Sequence, residues 1–220
     1  MIDNKKRKAQ RLTAGEDVLS PARYNQVLGL CVLYGFAVNA VMVKFLGSFF
    51  ESVHPAVFLS IYFPACIAGS IIAVKSKNPL VSFLGYNLIV LPIGGLLSIC
   101  LPYYEGADIV SAMLATGAVV AVMLVVATVK PELFAGLGRT LFLALGLGLI
   151  AEIVALLLGY GGNLFNWAFI LIFALDIGYD WHKAQEYPKT VDNAVDSAID
   201  IYLDIINLFL RILSILSDDD

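Results

Sequence analysis

Seven apolar stretches divide this chain, at roughly 24–46, 53–74, 80–101, 107–129, 140–158, 163–182 and 197–217. Each is near or above the ~20 residues that a helix needs to cross a ~30 Å hydrocarbon core. Membrane-spanning β-strands would be about half as long and would alternate apolar with polar positions, so a barrel is excluded. The turns GSFFES, KSKNP, LPYYEG, KPELFAGLGR and GYGGN are short, and one longer polar piece joins Lys183 to Asp196. Short turns make sequence neighbours antiparallel neighbours. The predicted architecture is an all-α membrane protein of seven transmembrane helices, spanning 24–217. A polar basic arm precedes it at 1–23, and an acidic tail follows at 218–220.

Composition agrees with that pattern. Of 220 residues, 60% are apolar or aromatic and only 15% are charged, whereas soluble domains carry roughly a quarter charged. Disorder, a disulfide scaffold and nucleic-acid binding are excluded by the same balance. Cys31, Cys66 and Cys100 each sit inside an apolar run and read as small hydrophobes. His54 and His182 have no second ligand at zinc spacing. The arm lacks the apolar core and cleavage site of a secretory signal peptide.

Charge placement sets the orientation. With the N-terminus inside, twelve of the fourteen Lys and Arg fall on the inner side, leaving Lys44 and Arg211 towards the outer half. The positive-inside rule therefore favours this orientation and puts the C-terminus outside. Glu51, Glu105, Asp108 and Asp218 to Asp220 collect on the outer side, either as simple loop residues or as a weak negative funnel for cations.

Ionisable residues within spans are costly, so the few present mark candidate chemistry. Asp196, Asp200, Asp204, Asn207, Arg211 and Ser214 fall on one stripe of segment seven about 80° wide. Such a stripe cannot face lipid, which places segment seven at the centre of the bundle. Glu152 sits on segment five at the end of a small-residue face, Thr140, Ala144 and Gly148. Its depth matches that of Arg211, predicting a buried Glu152–Arg211 pair. Asp180 and Asp204 lie across the hairpin of segments six and seven, at depths that agree within about one turn. Two carboxylates brought together in low dielectric share a proton; ionised, they offer the hard oxygens that calcium prefers. Asp176 and Asp200 add a carboxylate one turn before each. Gly136, Gly138, Gly146 and Gly148 have no preceding strand and read as packing glycines, not as a nucleotide loop.

Tyr179-Asp180 at the end of segment six, and Ile201-Tyr-Leu-Asp204-Ile-Ile-Asn207-Leu-Phe-Leu in segment seven, resemble the Bax inhibitor-1 family of seven-helix membrane proteins. The span count, the Asn78-Pro79 opening of helix three and the polar hairpin between helices six and seven fit the same family. The resemblance covers nearly the whole chain in layout, with its specific motifs in the last 50 residues. It implies a pH-sensitive calcium-leak channel, a central seventh helix wrapped by the other six, and Asp180 with Asp204 as the pH-sensing pair that also meets calcium. Trp181-His182 departs from the Thr-Gln that often follows the helix-six aspartate. Helix two has no basic residue to latch Asp180.

Two other readings stand beside it. Intramembrane aspartyl proteases use paired aspartates, but their second sits in a Gly-x-Gly-Asp setting, whereas Asp204 follows the bulky Ile201-Tyr202-Leu203. A non-conducting interaction or regulatory protein needs no ion path. The expectation is a non-enzymatic protein without a cofactor, whose partners are the lipid bilayer, calcium ions and protons. A monomer is compatible with the layout. Short loops and the lack of a Lys-Asp-Glu-Leu ending favour a bacterial plasma membrane over the endoplasmic reticulum.

Overall fold

The computed structural model describes residues 17–160 and 163–218. Three helices begin in the same way. Ser20, His54 and Asn78 each cap a helix by accepting a backbone N–H two or three residues on, and each is followed by proline. Proline at the first helical position forfeits no internal hydrogen bond, because that N–H has no intrahelical partner anyway. These caps open α1 (Pro21–Glu51), α2 (Pro55–Lys75) and α3 (Pro79–Cys100). A 3-10 turn leads to α4 (Gly106–Val129) and another to α5 (Gly138–Leu157). α6 (Asn163–Glu186) and α7 (Val191–Ser217) complete the order, with no strand among the described residues.

Six of these helices are long and apolar enough to cross a membrane; α7 is the exception. The expected seven helices are all present; six are apolar along their length, and the seventh is the polar one. At about 1.5 Å per residue, the 27 residues of α7 reach roughly 40 Å. Length is not what disqualifies it. Its four aspartates, at 192, 196, 200 and 204, with Arg211, lower its apolarity. Those charges are tolerated because α7 is enclosed: Ala198, Tyr202, Leu208 and Leu213 are wholly buried. The helices also overrun the apolar stretches. α6 continues to Glu186 and α7 starts at Val191, because helical hydrogen bonding does not stop where apolarity does. The basic run Lys5 to Lys8, and Asp219 and Asp220, lie outside the described residues.

Two units are distinguished by their internal packing. The first holds α1, α2, α3 and Glu186–Asp200. There α3 packs on both α1 and α2, and glycines make the approach close. A methyl group on Gly69 would lie 2.5 Å from the Gly85 carbonyl, and one on Gly85 would lie 2.7 Å from the Gly69 carbonyl. Gly94 faces Met42 and Asn39 of α1, while Gly95 faces Phe50 and Phe58. Without a hydrophobic drive between helices in lipid, such close backbone packing supplies much of the cohesion. Polar ties add to it. Tyr86 Oη donates to the Cys31 carbonyl at 2.9 Å, and Tyr34 Oη to Asn87 Oδ1 at 2.7 Å.

The same unit fastens the start of α7. Tyr24 Oη donates to the Asn193 carbonyl and lies 3.1 Å from Ser197 Oγ, and Ser82 Oγ donates to Asp192 Oδ1 at 2.6 Å. Lys189, just before α7, places its Nζ 4.5 Å from the centre of the Tyr24 ring. Burial holds that ammonium below the usual lysine value, since the charged form loses solvation.

The second unit holds Tyr104–Gln185 and the chain from Ile201 onward. Gly148 on α5 receives the ring of Phe169 on α6, at 3.2 Å from a would-be Cβ. The reading of four packing glycines needs one correction here. Gly138 and Gly148 do pack, but a side chain on Gly136 or Gly146 would meet nothing within 4 Å. Gly136 instead serves the turn, with φ of +83°, a value that side chains penalise.

Gly85→Ala should lower the thermal stability of the purified protein in detergent, by about 1–3 kcal/mol, as overpacking does. Gly47→Ala, where nothing lies within 4 Å of the added carbon, should leave the melting temperature unchanged or slightly raised. Equal melting temperatures for Gly85→Ala and the parent would remove the close α2–α3 contact from the account.

Candidate functional site

The polar stripe of α7 is enclosed along its described length. Asp204 is buried, and Asp196, Asp200, Asn207, Arg211 and Ser214 are half-buried. On the other side of the helix Ile199, Tyr202, Ile206, Phe209 and Leu213 are buried as well. Asn207 spends its amide on its own helix, with Nδ2 donating to the Leu203 carbonyl at 2.8 Å.

At the C-terminal end of α7, Arg211 meets two other helices. Its guanidinium makes a two-pronged contact with the Glu152 carboxylate, one prong at 2.8 Å to Oε2. Nη1 also donates to Asn166 Oδ1 at 3.0 Å, and the guanidinium carbon stands 4.3 Å above the Phe169 ring. Asn166 Nδ2 in turn donates to Ser214 Oγ at 3.1 Å. The side chains of Arg211 and Glu152 retain 24% and 18% exposure. Planar pairing of this kind suits arginine, whose fork matches a carboxylate and whose face stacks on a ring. Asn166 and Phe169 were not singled out in the sequence. Neither carries charge, and only the helical register puts them opposite Arg211.

Those contacts fix the register of α6 against α7. Asn166 meets Ser214 and Phe169 meets Arg211, three residues forward on one helix for three back on the other. Continued at about 1.5 Å per residue, the same register sets Asp176 level with Asp204 and Asp180 about one turn, roughly 6 Å, further along. Cα–Cβ bonds tilt towards a helix's N-terminus. In an antiparallel pair that tilt leans Asp180 and Asp204 towards each other and Asp176 away from Asp204.

Asp180 has a basic neighbour on its own helix. Lys183 Nζ lies 3.0 Å from Asp180 Oδ1, with 17% and 15% of the two side chains exposed. The ammonium also lies 5.8 Å from the centre of the Tyr179 ring. The three-residue spacing of Lys183 from Asp180 is the sequence signal of a helical ion pair. Asp176 is 8% exposed, and its Oδ2 makes no hydrogen bond.

Among the described residues, no group of three or more His, Cys, Asp or Glu is gathered as a metal site. Resident calcium takes six to eight oxygens.

An all-helical chain with six apolar spans and charges sequestered along its last helix is a multi-pass membrane protein. The family model described as inhibitor of apoptosis-promoting Bax1 matches residues 23–220. The chain belongs to the Bax inhibitor-1 family. No curated protein matches the chain.

Breaking the Arg211 contact from one side leaves a sequestered charge. Glu152→Gln should destabilise by about 3 kcal/mol, the lower end for orphaning a buried ion. Glu152→Gln combined with Arg211→Gln should recover much of that loss. A chemical or thermal unfolding cycle in detergent checks this, and additive single effects would mean that the two residues act independently.

Proposed function

We propose that this protein is a pH-sensitive calcium-leak channel, gated where α6 meets the middle of α7. Asp180 and Asp204 share a proton in the closed state. Loss of that proton leaves two like charges in a poorly solvated place, and the repulsion is relieved by separation, by a cation or by a basic partner. Lys183 is the basic partner at hand, 3.0 Å from Asp180. Calcium is the favoured cation, because Asp176 and Asp200 add carboxylates one turn away and a divalent ion offsets several at once.

What supports this reading is the antiparallel register of Asn166 and Phe169 against Ser214 and Arg211, which, extended along both helices, brings Asp180 to within about one turn of the buried Asp204. The protein acts without catalysis in this reading. The bulky Ile201 and Tyr202, both buried, stand before Asp204 where an aspartyl protease has glycines, which supports that reading. Its working partners are the bilayer, calcium and protons, and its host is a bacterial plasma membrane, with the endoplasmic reticulum as the alternative.

Calcium flux in proteoliposomes at several pH values tests the proposal. Asp180→Asn and Asp204→Asn should each flatten the flux-versus-pH curve. Asp17→Asn, at an exposed position before α1, should leave it unchanged. Full wild-type pH response in both single variants would make the pair structural. No flux from the intact protein would leave a non-conducting interaction protein, in which the Arg211 network acts as a polar staple between helices.

A further inference from the structure

The turn of α6 that carries Asp180 is anchored on three sides, by the end of α4, by the α4–α5 connection and by the first residue of α5. Phe134, 2% exposed, seats its ring on Gly178, where any side chain would collide with it. Gly138 leaves the matching space for the Tyr179 phenol. Trp181 Nε1 donates to Thr128 Oγ1 at 2.9 Å.

At about 100° per residue, positions 178, 179 and 181 point roughly 160°, 100° and 100° away from position 180, the last two to opposite sides. The anchors therefore occupy the far face and both flanks of the helix, and Asp180 holds the remaining direction. Rotation of α6 about its axis, the motion that would swing this carboxylate aside, must break all three. On α6, Asp176 and Lys183 are charged neighbours of Asp180, and Asp204 faces it from α7 in the channel reading. Lys130 and Glu132 of the connection and Arg139 at the start of α5 are exposed.

We propose that the α4–α5 connection is the positioning element of the gate, with Phe134 on Gly178 as the wedge that holds the Asp180 carboxylate in the ion path. The proposal rests on the channel reading above. Phe134 touches no ion; it acts through the helix turn that it fixes.

Two readouts test it, one of conduction and one of the turn itself. The chain has two tryptophans, so Trp167→Phe leaves Trp181 as a single reporter beside Asp180. In proteoliposomes, Phe134→Ala should raise the calcium concentration for half-maximal flux about threefold or more, with a smaller change in maximal flux. Phe134→Leu should restore most of the wild-type value. In the Trp167→Phe background, Phe134→Ala should make Trp181 more accessible to acrylamide quenching. Should Phe134→Ala fail to fold, Thr128→Val, at an exposed position, removes the bond from Trp181 together with the hydroxyl's own bond to the Leu124 carbonyl within α4, and should move both readouts in the same direction by less. Wild-type half-saturation in a conducting Phe134→Ala protein would overturn the proposal. So would unchanged Trp181 quenching, whether or not the parent conducts. A parent without flux, whose Trp181 nevertheless becomes accessible in Phe134→Ala, would sink the channel reading and keep the connection as the element that fixes this turn.

Discussion

A guanidinium taken out of water dictates much of what surrounds it. Arg211 costs several kcal/mol to sequester unless its charge is matched and its donors are used. Glu152 matches the charge, Asn166 takes a further donor and the Phe169 ring covers the flat face. Each partner constrains a helix. Glu152 fixes the rotation of α5, whose Gly148 must then face Phe169. Asn166 and Phe169 fix the height of α6, and from that height follows where its aspartates stand along α7. A charge at one end of a helix thus sets the register of side chains two to three turns away.

Two kinds of cohesion divide the protein between them. Around α3 the bond is steric, as Gly69 and Gly85 remove side chains so that backbones can touch. Along the second half of α7 the bond is polar and made by long side chains reaching across. Each suits its residues. A glycine contact leaves no polar atom to satisfy in lipid, whereas a charged stripe demands neighbours with matching groups. The first half of α7 uses a third device, in which single hydroxyls from Tyr24 and Ser82 meet its backbone and Asp192.

Most of the layout was legible because spanning a membrane is a demand on length and apolarity alone. Helix starts were equally open to reading in Asn78-Pro79, and Ser20-Pro21 and His54-Pro55 follow the same rule. The meeting of Glu152 with Arg211 could be anticipated since both are expensive in lipid and each is the other's cheapest remedy. Uncharged partners were invisible for the converse reason. Asn166, Phe169, Thr128 and Phe134 look like ordinary members of an apolar span or loop until the register is known. The glycines show the same limit. Spacing alone could not tell Gly138, which makes room for Tyr179, from Gly136, which bends the chain.

The tie between Tyr24 and the start of α7 also sets a schedule for biogenesis. Tyr24 and Asn193 are 169 residues apart, and at about 5–20 residues per second a ribosome needs roughly 10 to 30 s to make that interval. The α2–α3 glycine contact joins elements separated by one short turn, so it can form as soon as both have entered the bilayer. The phenol of Tyr24 must wait until Asn193 has been made. Until then the head of α1 lacks this latch, and a helix made much later supplies it.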